Sequence, residues 1–150
     1  MRQTVGLVLI LATGLLVAHP ARPKEPTQLE TLAGAPVSED AVSGNLIAVF
    51  FASWSPRCRG VVDQANALQR QWGSRARVML ISFQEDAAPI ESFLGGRLVG
   101  VETVRDPAGA FAKKHGITTL PSLLVLENGA VAFRGRLPAE PGSVLKPIFD

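Results

Sequence analysis

The chain has 150 residues, 47% of them hydrophobic, with 15 basic and 13 acidic side chains and a formal net charge of +2. That length holds one well-buried core and excludes two ordinary domains once a targeting segment is subtracted. The near balance of charges excludes the dense basic footprint of a nucleic-acid binder.

Arg2 and Gln3 precede an apolar run from Val5 to Ala18 that is broken only by Thr and Gly. A basic start, an apolar stretch of this length and a small residue at its end predict a signal peptide or a membrane anchor over 1–18. The run is shorter than the roughly 18–20 residues that comfortably span a bilayer. Either reading exports the body of the protein. Residues 19–28 carry Pro20, Pro23 and Pro26, which favour extended conformers and make a spacer. A single domain is expected over 29–150.

Residues 29–44 predict two short extended pieces around a Gly34-Ala35 turn, then a helical turn at Ser38-Glu39-Asp40. Leu46 to Phe51 is apolar without alternation, the pattern of a strand covered on both faces. Ser55-Pro56 has the chemistry of a helix start, with Ser as N-cap and Pro at the first helical position. Apolar residues then fall at Cys58, Val61, Ala65, Leu68 and Trp72, one face of an α-helix. On that helix Cys58 faces inward and Ser55 sits at the exposed tip.

Val78 to Ser82 predicts the next strand, and Pro89 to Leu94 a short helix. A further helix is punctuated at both ends: Asp106 caps, Pro107 opens, Lys113, Lys114 and His115 complement its negative end, and Gly116 stops it. Asn128-Gly129 between two apolar runs predicts a β-hairpin. A brief helix after Pro138 is expected to be interrupted by Pro147. Strand, helix, strand, helix, helix and hairpin make an α/β sandwich around a mixed sheet.

"ASWSPRCRG", residues 52–60, holds the only cysteine. An oxidising compartment favours paired thiols, so a lone Cys58 is a reactive thiol, half of an intermolecular bridge, or a small buried hydrophobe.

Three stretches, "LETLAGAPVSEDAVSGNLIAVFFASWSPRC", "VRDPAGAFAKKHGI" and "TTLPSLLVLENGAVAFRGRL", resemble the thioredoxin-fold superfamily, and within it the periplasmic or membrane-anchored thiol-disulfide oxidoreductases of the TlpA and ResA type. The resemblance implies a thioredoxin-like three-layer sandwich, a central mixed β-sheet flanked by helices, in the periplasm and with or without an inner-membrane tether. It also implies a protein thiol or disulfide partner, or an extended peptide segment, held between Trp54, Pro56 and Arg57 on one side and Leu120 and a cis Pro121 on the other. Members of that group open the helix with Trp-Cys-x-x-Cys. Ser55 therefore stands where the attacking cysteine would be, and Cys58 where the resolving one would be.

Disulfide exchange needs a thiolate to attack sulfur and a second thiol to release the mixed disulfide. A serine hydroxyl forms no disulfide, so a dithiol cycle within this chain is impossible. Arg57, Arg59 and the first helical turn favour a thiolate at Cys58, whereas inward packing opposes one. Val49 stands where related oxidoreductases often carry a polar or acidic residue for proton movement.

Cys58 is thus read as either a working thiol or a packed remnant in a redox-inert binding module. A third reading is a peroxiredoxin-like thiol peroxidase in which Ser55 orients peroxide for Cys58, although the proline that motif requires would fall at Phe51. Five arginines (57, 59, 70, 75 and 77) between Trp54 and Ser82 make a solvated basic face or a docking surface for an acidic partner or anionic headgroups. His19, His115 and Cys58 have no metal-ligand spacing, and His115 is read as a surface residue at a helix end. No phosphate loop, hydrolase triad or nucleic-acid motif is present, and no cofactor is expected.

Overall fold

A computed structural model describes residues 27–150. The expected leader over 1–18 and most of the expected linker lie outside the described residues. The membrane-anchor expectation is corrected: among the described residues no helix is long and apolar enough to cross a membrane, and the Val5–Ala18 run is itself short for a span.

Six strands form one sheet: β1 (Glu30–Thr31), β2 (Leu46–Phe51), β3 (Arg77–Phe83), β4 (Glu102–Asp106), β5 (Ser122–Glu127) and β6 (Ala130–Arg136). Their spatial order is β1-β4-β3-β2-β5-β6. β2 pairs parallel with β3, and β3 parallel with β4. β5 runs antiparallel to β2 and to β6, and β1 antiparallel to β4. The helices are α1 (Val61–Trp72), α2 (Ala87–Leu94), α3 (Ala110–Lys114) and α4 (Gly142–Phe149). This is the expected thioredoxin-like sandwich.

All six residues of β2 are buried, because the sheet is covered on both faces. Ile47, Val49 and Phe51 project into one core with Val61, Ala65, Leu68 and Trp72 of α1, Ile90 of α2 and Leu145 of α4. Leu46, Ala48 and Phe50 project into the other, against Phe111 and Ala112 of α3 and Val37, Ala41 and Val42 of the N-terminal segment. The period of two along β2 thus meets the helical period of α1 on one side only. Each buried Leu, Ile or Phe adds roughly 1.5–3 kcal/mol of transfer free energy.

Local chemistry explains most boundaries. Asn128 and Gly129 both have positive φ, 50° and 82°, as a two-residue hairpin turn with the right twist demands. Gly116, at φ 66°, ends α3 where a Cβ would be strained. The Asp106 carboxylate caps α3 from the last position of β4, accepting from the backbone N–H of Ala112 at 2.8 Å and Phe111 at 3.3 Å. The helix opens at Ala110 rather than at Pro107.

Three further expectations are corrected. β4 was not expected from the sequence: its five residues, Glu102 to Asp106, contain one apolar side chain, Val104, and only Val104 and Asp106 are buried. α4 runs through Pro147; the proline forfeits one bond, to the carbonyl of Ser143, and sits in the last turn, where only two helical residues follow it. The turn Pro56–Cys58 is a separate 3₁₀ turn, and α1 proper begins at Val61.

Candidate functional site

The site lies at the carboxyl ends of the parallel strands β2 and β3, where the chain leaves the sheet. Ala52 to Ser55 turns back from β2, and Ser55 N–H donates to the Ala52 carbonyl at 3.2 Å. Cys58 N–H donates to the Ser55 carbonyl at 3.0 Å, closing the 3₁₀ turn. The Ser55 side chain makes no capping bond. It is also 8% exposed rather than at an open tip, because the turn folds back over it.

Cys58 is fully buried and free. Its sulfur belongs to the apolar cluster of Phe51, Val61, Val62 and Leu123. Trp54, by contrast, is 68% exposed, an unusual position for so large an apolar surface.

A groove of about 520 Å³ runs beside Trp54, lined by Ser55, Pro56 and Arg57 on one side and by Phe83, Ile117, Thr118, Thr119 and Leu120 on the other. Of the residues expected at the site, Trp54, Ser55, Pro56, Arg57 and Leu120 come together there. Two do not line it. Cys58 lies beneath it, and Pro121, whose peptide bond with Leu120 is cis, is half-buried behind Leu120, where its carbonyl accepts from Leu137 N–H at 3.1 Å. Phe83 and the run from Ile117 to Thr119 were not expected; they enter only because β3 ends beside the loop before Pro121, a tertiary fact with no local signal.

A buried carboxylate also escaped sequence reading. Glu85, 9% exposed, accepts from Ser53 N–H at 2.9 Å, from Ser82 Oγ at 2.6 Å and from Ser53 Oγ. It straps the loop that presents Trp54 to the end of β3. Val49, where a proton-moving group was considered, is fully buried among apolar side chains.

The five arginines do not act together. Arg75 pairs with Asp150 at 3.1 Å and Arg77 with Glu102 at 2.5 Å, at the opposite end of the sheet. Arg57 and Arg59 remain at the site. His115 is corrected too: it is half-buried, its ring 4.6 Å from that of Phe111. Burial, seconded by Lys114 and Arg134 against Glu39, holds its pKa below the usual 6.5, so it is a poor complement to the end of α3.

No family model matches the chain. It is 28% identical over 129 residues to a thioredoxin-like protein of Haemophilus influenzae, covering 82% of this chain and 76% of that one. Among solved structures it is similar to a thiol-disulfide oxidoreductase from Bacteroides fragilis, with 21% identity, a TM-score of 0.66, and 79% and 93% of the two chains covered. It is also similar to a secreted disulfide oxidoreductase of Mycobacterium tuberculosis, with 16% identity, a TM-score of 0.63, and 78% and 89% covered.

Proposed function

We propose, from the thioredoxin-like fold and the single cysteine, that this is an exported, periplasmic TlpA-type protein that has kept the partner groove of thiol-disulfide oxidoreductases and lost their dithiol cycle. It serves thiol-disulfide handling by holding a protein segment between Trp54 and Leu120, without exchanging electrons. A domain over 29–150 behind a cleaved leader and a proline-rich spacer is part of the same proposal.

One observation carries it. Ser55, which the resemblance puts in the place of the attacking cysteine, lines the groove, while Cys58 is 0% exposed within an apolar cluster. A hydroxyl cannot be oxidised to a disulfide, and a sealed thiol cannot reach a partner's sulfur. The same burial weighs against a peroxidase, whose thiolate must meet peroxide.

Alkylation tests this directly. Cys58 in the folded protein is expected to resist iodoacetamide and to react once denaturant is added, with no reduction of insulin by the native chain. Rapid labelling of the native protein, or sulfenic acid at micromolar peroxide, would return Cys58 to a working role.

A further inference from the structure

Trp54 divides two grooves. Its far side, away from Leu120, faces a second groove of about 330 Å³ walled by Pro56 and Phe93 and rimmed by Arg59 and Arg97. We infer that this second groove receives carboxylate side chains from an extended acidic segment of a protein partner, with Arg97 and Arg59 as the cations that hold them. This rests on the reading of the first groove as a partner site and extends it by naming the partner's chemistry.

Arg97 is built into position. Its guanidinium lies 4.9 Å above the Phe93 ring centroid, and Phe93 stacks at 5.4 Å on Phe51 of the buried strand β2. Nη1 also donates to the Arg59 carbonyl at 3.2 Å. The loop carrying Arg97 is pinned to α1 by Asn66, which donates to the Leu98 carbonyl and accepts from Gly100 N–H, both at 2.7 Å. A guanidinium held by its face and one N–H keeps its remaining donors turned outward in a fixed fork, the geometry that binds carboxylate.

The charge of the groove is uncompensated. No acidic residue lines it, and among the described residues neither Arg59 nor Arg97 has a carboxylate within ion-pair distance, whereas Arg75, Arg77 and Arg105 each do. The floor is aromatic, and exposed Trp54 is shared with the first groove. A small anion would use the cations and leave the floor bare. An extended segment lying in the first groove crosses Trp54 and brings its next side chains into the second.

The test uses two capped hexapeptides that differ only in two positions, glutamate in one and glutamine in the other, around a central phenylalanine. Binding is followed by Trp fluorescence, in which exposed Trp54 reports and buried Trp72 does not. The glutamate peptide is expected to bind about tenfold tighter, the sum of two rim ion pairs, and to lose that margin in raised salt. Arg97→Gln and Arg59→Gln are each expected to remove roughly threefold of it, while Arg70→Gln, on exposed α1 surface, leaves it unchanged. Equal binding of the two peptides, or a margin that survives both substitutions, overturns the inference and leaves the first groove standing. Binding of neither peptide overturns both.

Discussion

Ser55 and Cys58 are three residues apart in one turn, yet one lines a groove and the other is sealed in the core. Four-residue turns bring their first and last Cα within about 7 Å, inside the range a disulfide bridges. Ser55→Cys is therefore expected to form a bridge to Cys58 on oxidation and to create insulin-reductase activity that the native chain lacks. A mass loss of two hydrogen atoms per oxidised chain reads the bridge; an introduced thiol that stays free would remove the basis for placing the two residues as an attacking and resolving pair.

Glu85 belongs to the same scale. Three donors converge on an acceptor-only carboxylate, so Glu85→Gln sets an amide N–H against a donor. The expected loss is about 1–3 kcal/mol of unfolding free energy, together with lower Trp54 fluorescence anisotropy as the loop loosens. Unchanged urea midpoint and anisotropy would deny Glu85 its strapping role. Nothing in the sequence marks it. An acid beside Gln84 and Asp86 reads as ordinary surface, and its burial follows only from the packing of two strand ends.

At the scale of elements, legibility tracks how local the determinants are. β2, α1 and the β5-β6 hairpin were readable because an apolar run, a 3.6-residue stripe and an Asn-Gly turn are each decided within a few residues. β4 was not: its Arg105 meets Glu30 of β1 across 75 positions, through an ion pair at 2.5 Å, and its polar sequence looks like a loop. Pro147 misled because its position in α4 mattered more than its identity.

His115, at the end of α3, carries a prediction of its own. Burial lowers its pKa, so the unfolded chain takes up the proton more readily than the folded one. Its contribution is fully present above pH 6.5, the unfolded value, and is lost as pH falls through the lowered folded value. Urea midpoints for the native protein are expected to drop more steeply on acidification below that point than those of His115→Gln. Parallel pH profiles would show that the imidazole does not titrate differently on folding.

Across the whole molecule, the candidate chemistry collects at one end of the sheet. The carboxyl ends of β2 and β3 hold Trp54, Glu85 and both grooves, as open α/β sheets place ligands beyond strand ends; the opposite end holds the Arg77–Glu102 pair. The sandwich was legible because every layer must bury an apolar face. The second groove was not, since Arg97 lies 38 residues from Arg59 and a solitary arginine between glycines and leucine gives no hint of a stacked guanidinium.

The sealed sulfur also governs what becomes of misfolded material. Opening the core bares a single reactive atom per molecule, with no intramolecular mate to quench it. Under air, two damaged copies can fuse through that atom, and the reaction then stops, because neither has another to offer.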